Sequence, residues 1–204
     1  MINYLALGDS YTIGEGVAPE ERWPVLLQKR LQEQGIALSD PRIIATTGWT
    51  TAELLAAIER EQPTNTFDLV SLLIGVNNQY RGYDLDIFRT EFTKLVQKAI
   101  YFARKKPEGV VVVSIPDWGV TPFAADKGPE RIAGEIEQYN RLKREICQRL
   151  DVRFYDITPL SKQAATDSGL LAEDQLHPSG RMYARWVETI LPDVVKQCKL
   201  LKKV

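Results

Sequence analysis

Histidine and cysteine are nearly absent from this 204-residue chain: it holds one histidine, His177, and two cysteines, Cys147 and Cys198. A zinc site needs three or four such ligands, so no metal and no other cofactor is expected. The two cysteines lie far apart in helix-like stretches. They make no disulfide framework and read as buried or half-buried thiols. An excess of one charge is also lacking, with 26 Lys and Arg against 27 Asp and Glu, a net charge of −1. That leaves no electrostatic footprint for a nucleic-acid partner. The basic end, "KLLKKV", reads as a short solvated tail. Long apolar runs are missing too. "LVSLLIGV" and "VVVVSI" fall far short of the roughly 20 apolar residues that cross a bilayer, so no integral membrane segment is expected. The N-terminus has no basic segment followed by a long apolar one. A cytoplasmic location is therefore the expectation, although a secreted form with its signal removed would read the same. Nothing in the sequence sets an oligomeric state.

What the chain does have is an ordinary globular composition, 44% hydrophobic. Residues 1–204 read as one domain, long enough to bury roughly 70% of the unfolded surface. Strand-like apolar runs at 2–8, 41–46, 67–74, 109–115 and 152–156 alternate with helix-like runs. "VVVVSI" and "LVSLLIG" are apolar without alternation, which suits parallel strands covered on both faces. Helices are predicted near 22–34, 51–61, 85–105, 130–150 and 180–197. Ile132, Ile136, Tyr139, Leu142, Ile146 and Leu150 recur at helical spacing. So do the rows Tyr183, Val187, Leu191, Val195 and Met182, Trp186, Ile190, Val194. These stripes read as core contacts. The alternation implies a three-layer α/β/α sandwich around a flavodoxin-like, five-stranded parallel sheet. One long irregular stretch, residues 116–130, follows the fourth strand. Its three prolines argue for a fixed wall rather than a mobile lid.

In such folds, ligands sit outside the carboxyl ends of the strands. The residues just past those ends are Gly8, Asp9 and Ser10; Thr46, Thr47 and Gly48; Gly75, Val76, Asn77 and Asn78; Asp117 and Trp118. The histidine arrives later, in "DQLH". Acyl transfer to water needs a nucleophile, a base, a group that orients the base, and donors for the oxyanion. Ser10 is the candidate nucleophile and His177 the only imidazole base. Pro178 disfavours a helical His177, so "DQLH" reads as a tight turn able to bring Asp174 beside the imidazole Nδ1. The backbone N–H groups of Ser10 and Gly48 and the side-chain amide of Asn77 are the candidate oxyanion donors. Glycine at 48 allows close backbone approach. Taken singly, each residue has a plainer reading. Ser10 suits a helix N-cap, His177 a surface histidine before a helix, Asp174 a solvated carboxylate, and Gly48 and Asn77 ordinary turn residues. Their joint placement at strand ends and before the last helix favours the catalytic reading. A flavodoxin-like module that binds a small molecule without catalysis fits the same α/β pattern.

Four blocks then resemble the GDSL-type members of the SGNH hydrolase superfamily, in the family's order and across essentially the whole chain. "GDS" carries the nucleophile onto Ser10. Gly48 in "ATTGWTT" matches the second block's glycine. "GVNN" carries the oxyanion asparagine onto Asn77, and "DQLH" carries the acid onto Asp174 and the base onto His177. Two positions depart from the pattern: Tyr11 stands for the leucine of the family name, and Asn78 for the usual aspartate. The resemblance implies a hydrolase of small-molecule esters or thioesters, among them lysophospholipids and other lipids, acetylated sugars, aryl esters and acyl-CoA. Asp9, Tyr11, Trp49, Asn78 and Trp118 are the candidate substrate contacts. Tyr80, Tyr83 and Phe123 are further aromatics expected near the site.

Overall fold

A computed structural model describes residues 1–201. The last three residues of the basic tail lie outside the described residues. Five parallel strands, β1 (Tyr4–Gly8), β2 (Arg42–Ala45), β3 (Leu69–Leu73), β4 (Val110–Val113) and β5 (Arg153–Tyr155), form one sheet in the order β2-β1-β3-β4-β5. Each strand is one or two residues shorter at its ends than the apolar pattern suggests, except that β1 ends at Gly8 as expected. The three central strands are buried at every position, whereas the edge strands begin with exposed Arg42 and Arg153. Apolarity on both faces is therefore confined to strands covered on both sides.

The helices are α1 (Ser10–Ile13), α2 (Trp23–Glu33), α3 (Thr51–Glu61), α4 (Val76–Tyr80), α5 (Leu85–Phe102), α6 (Pro129–Arg149), α7 (Thr158–Ser161) and α8 (Gly180–Leu201). α2 packs against α8, while α5 packs against α3 and α6, giving a helical layer on each side of the sheet. The predicted stripe on α6 is buried from Ile132 to Ile146, and so are Met182, Trp186, Ile190 and Val194 on α8. Of the second α8 row, Leu191 and Val195 are only half-buried.

Some boundaries move for local reasons. α5 stops at Phe102 rather than at 105, because Arg104 and Lys105 take φ of 54° and 64°, a left-handed conformation that ends helices. α8 runs on to Leu201, past the expected end at 197. The short helices α1, α4 and α7 carry too few residues to show a helical period, and the sequence pattern missed them. The stretch 116–130 is less irregular than its composition suggests. It holds two 310 turns, Trp118–Val120 and Pro122–Ala124, with Trp118 and Ala124 buried. No helix among the described residues is long and apolar enough to cross a membrane. Both cysteine side chains are buried.

The strand order puts the topological switch point between β1 and β3. From β1 the chain moves to one side of the sheet and from β3 to the other. The crevice outside their carboxyl ends is where such sheets bind ligands.

Candidate active site

Ser10 opens α1 directly after β1. Asp9 caps that helix, its Oδ1 accepting the Tyr11 N–H at 3.1 Å. Gly8 is required by crowding, since a Cβ there would stand 2.1 Å from Thr12 Oγ1 and 2.4 Å from the Leu73 carbonyl oxygen. α1 and the end of β3 thus both pack tightly against Gly8, which sets Ser10 at the β1/β3 crevice. Ser10 itself is 4% exposed.

Gly48 follows β2. The expected reason for glycine here was close backbone approach. Instead, the nearest atom to an added Cβ is Arg81 Nη2 at 3.8 Å, and φ is +87°. The constraint is the left-handed backbone, which other residues rarely adopt. Arg81 Nη2 donates to the Gly48 carbonyl at 2.7 Å, and Nη1 pairs with Glu53 at 3.4 Å. Glu53 belongs to the capping box of Thr50 that starts α3.

Asn77 lies on α4 rather than in a loop. Its Nδ2 donates one hydrogen to the Trp49 carbonyl at 2.9 Å, and an amide nitrogen carries a second. Asn78, at the family's aspartate position, is fully buried. Its Oδ1 accepts the Thr51 N–H at 3.0 Å and its Nδ2 donates to Thr51 Oγ1 at 2.7 Å. Thr51 Oγ1 gives its own proton to Glu91 at 2.5 Å, so it must accept from residue 78. An ionised aspartate has no proton to give, which accounts for the amide.

"DQLH" forms a tight turn. Asp174 Oδ1 accepts the N–H groups of Leu176 at 3.0 Å and His177 at 2.9 Å, while Oδ2 lies 2.5 Å from His177 Nδ1. The turn is anchored at both ends: the Ala172 N–H donates to the His177 carbonyl at 2.8 Å, and that of Ser179 to the Leu170 carbonyl at 2.9 Å. Burial works to raise the Asp174 pKa. The hydrogen bonds from the His177 ring and from the His177 and Leu176 backbone outweigh it and hold the carboxyl below its usual range. An ionised carboxylate only accepts, so Nδ1 carries a proton, and it is the tautomer with a free Nε2 lone pair that the neutral ring adopts here. Tyr11 meets the imidazole edge-on, with centroids 5.8 Å apart.

A cleft of about 220 Å³ brings these groups together. Ser10, Tyr11, Thr47, Gly48, Asn77 and His177 line it, and Val76, Tyr80, Trp118, Phe123 and Leu176 supply an apolar wall. Asp174 reaches it through His177. Of the candidate substrate contacts, Tyr11 and Trp118 are on the lining. Asp9, Trp49 and Asn78 are not. Asp9 and Asn78 are wholly buried hydrogen-bonding residues, and Trp49 contributes its carbonyl to Asn77 instead of a ring to the cleft. Tyr83 also lies off the lining; its carbonyl accepts from Tyr139 at 2.8 Å.

Beneath the cleft lies a buried lysine that sequence reading missed. Lys143, on α6, is 0% exposed. Its ammonium donates to the carbonyls of Ile74 at 3.0 Å and Val113 at 2.8 Å, the ends of β3 and β4, and lies over the Phe92 ring. Burial pushes Lys143 down and Asp9 up, and each opposes the other's shift by its charge. Lys143→Met leaves the Ile74 and Val113 carbonyls without their donor, so it should cost about 1–3 kcal/mol of unfolding free energy, and distinctly less in an Asp9→Asn background, where the opposing charge is gone. Urea melts of the four proteins check this, and equal costs in the two backgrounds would show that the charges are uncoupled. Lys143 falls four residues after Tyr139 and three before Ile146, on the buried face of α6, so a lysine set within an apolar stripe was the signal that could have found it.

A hydroxyl, an imidazole oriented by a carboxylate, and amide donors around one cleft make the set that acyl transfer uses. Among the described residues, no group of three or more His, Cys, Asp or Glu is arranged to hold a metal ion. Residues 6–185 match the model of the GDSL-like Lipase/Acylhydrolase family. An arylesterase of Vibrio mimicus is 32% identical over 94 residues, 45% of this chain and only 46% of the arylesterase. An acetylxylan esterase of Geobacillus stearothermophilus is 26% identical over 168 residues, 76% of this chain and 70% of that protein. The crystal structure of TesA superposes with a TM-score of 0.74 at 21% identity, over 96% of this chain and 99% of TesA. At that identity the likeness speaks for the fold.

Proposed function

The chain belongs to the GDSL-like Lipase/Acylhydrolase family, and from that premise we propose that it hydrolyses carboxylic esters through an acyl-enzyme on Ser10. The observation that carries this reading is the 2.5 Å contact of Asp174 with His177 Nδ1, in a cleft that Ser10 and His177 line together. In the first half-reaction, Ser10 Oγ attacks the acyl carbonyl carbon while His177 Nε2 takes the hydroxyl proton. The tetrahedral oxyanion is held by the Ser10 and Gly48 N–H groups and by the second Nδ2 hydrogen of Asn77. Collapse expels the alcohol, which leaves with the proton from His177. In the second half-reaction, His177 takes a proton from water. The hydroxide adds to the acyl carbon, and Ser10 departs with that proton as the carboxylic acid is released. The Asp174 carboxylate stabilises the imidazolium in both halves. Names of relatives, an arylesterase and an acetylxylan esterase, support an ester as the substrate.

An alkyl fluorophosphonate should add one phosphonyl group, and peptide mass mapping should find it on Ser10. A panel of p-nitrophenyl esters should be hydrolysed at a rate that this reagent abolishes. Binding of small esters with neither turnover nor labelling would identify a non-catalytic module instead.

Asn77→Ala should slow turnover by about 10²–10³-fold, the usual cost of one lost oxyanion donor. The loss should fall on kcat rather than KM, because the contact strengthens as charge develops. A variant in which KM rises and kcat holds would place Asn77 in ground-state binding.

A further inference from the structure

We propose that Trp118 is the partition that limits the acyl group of the substrate to a short chain, an inference that rests on the ester-hydrolase reading above. Three spaces meet at this one side chain. On one side is the catalytic cleft of about 220 Å³, below the roughly 300–1,000 Å³ of pockets that enclose drug-sized ligands. Behind it is a small pocket of about 20 Å³, shared with Tyr11 and Leu176 and lined further by apolar Ala164, Leu171 and Met182 and by Asp117. Outside it is a groove of about 500 Å³ shared with Tyr80. The cleft wall near Trp118 is aliphatic and aromatic, which suits an alkyl chain and offers no counter-charge to an ionic one. A growing chain therefore ends against the indole, with space beyond it that the indole closes off.

The partition is rigid. The indole N–H donates to Gln79 Oε1 at 2.8 Å. Gln79 Nε2 donates to Glu135 at 2.6 Å, and Arg131 holds Glu135 from the other side at 2.8 Å. Tyr80 meets the indole edge-on at 5.5 Å between centroids, and Phe123 lies at 6.1 Å. The backbone turn beneath is equally fixed. Asp117 accepts the Gly119 N–H at 2.9 Å, and a Cβ at Gly119 would come within 2.9 Å of both Asp117 Oδ1 and the Pro129 carbonyl. Swinging the ring aside would break a buried hydrogen bond and two aromatic contacts, so the wall does not yield to a longer chain.

The test is kcat/KM for p-nitrophenyl acetate, butyrate, octanoate and dodecanoate in wild type, Trp118→Ala and Trp118→Leu, with thermal melts as the fold control. Wild type should fall off beyond the short chains by about tenfold or more, a loss in the range set by misfitting one or two methylenes. Trp118→Ala should raise the octanoate-to-acetate ratio by about tenfold, with Trp118→Leu between the two. Should the alanine variant not fold, the leucine variant decides by the same ratio. A parallel series of acetates with lengthening alcohols should keep its wild-type ratios. An active enzyme whose acyl ratios stay within about twofold of wild type, or whose shift follows the alcohol instead, overturns the partition and leaves the hydrolase reading intact. A wild type that cleaves none of these esters overturns the hydrolase reading, and the partition with it.

Discussion

Ser10→Ala should lower kcat by about 10⁶-fold, the scale on which a triad hydrolase loses its nucleophile, while the melting temperature stays where it is. Both halves of that expectation have a structural reason. The hydroxyl is the only part of the side chain that alanine lacks, and without it no acyl-enzyme forms. The backbone around it depends on other groups. Asp9 caps α1 through its own carboxylate, and the Ser10 carbonyl accepts the Gly14 N–H at 2.9 Å. Alanine is also the best helix former, so the first position of α1 tolerates it. The measurement is steady-state hydrolysis of a fast p-nitrophenyl ester beside a thermal melt. More than a few per cent of wild-type turnover in a pure, folded variant would move the nucleophile elsewhere. A folded variant that still takes the phosphonate label would do the same.

Asp174→Asn should cost about 10⁴-fold in kcat, the loss seen when a triad keeps its shape but not its carboxylate. Asparagine keeps an oxygen to accept the Leu176 and His177 N–H groups, so the turn should survive. What changes is the group facing Nδ1. If the amide nitrogen turns toward the ring, it donates where the carboxylate accepted and selects the tautomer with its proton on Nε2, which cannot take a proton from Ser10. The wild-type pH profile follows from the same contact. The imidazole must be neutral to act as a base, and histidines as a class change charge between about pH 5 and 8. The Asp174 carboxyl is held below its usual range by the His177 and Leu176 hydrogen bonds, so it stays ionised throughout that interval. A single ionisation should therefore govern kcat/KM, which rises with pH and then levels off. With one histidine in the chain, no second imidazole can supply that limb. A flat profile from about pH 5 to 9 under conditions where chemistry limits the rate would remove histidine as the base.

The acidic side of the stability curve should reflect Asp174 as well. Its pKa is depressed in the folded chain, so its contribution is present above the unfolded value. It is lost as pH falls through the folded one. Asp174→Asn should flatten that part of the acid-unfolding curve, read by circular dichroism.

Most of the architecture and the principal site candidates were legible in the residues alone, because both rest on local signals. A fully apolar run such as Val110–Val113 reports burial on two faces wherever the strand later sits. The stripe from Ile132 to Ile146 reports a helix with one buried side. The alternation of such runs leaves few topologies other than a doubly wound sheet. Ser10, Gly48 and Asn77 stood out because they follow strand ends. Asp174 and His177 stood out because a three-residue turn before Pro178 brings their side chains together. Tertiary structure alone decided which polar residues face the cleft and which hold it up. Asp9 and Asn78 sit beside candidate catalytic residues in the chain, yet they are turned inward, to α1 and to Thr51. Lys143 reaches the Ile74 carbonyl across 69 residues. Gln79 meets the Trp118 indole across 39, and Arg81 meets Gly48 across 33. Periodicity and turn chemistry are properties of neighbours within a few residues, so they are written in order along the chain. The partner of a buried polar group depends on which element comes to lie alongside it, and that is settled only when the layers pack.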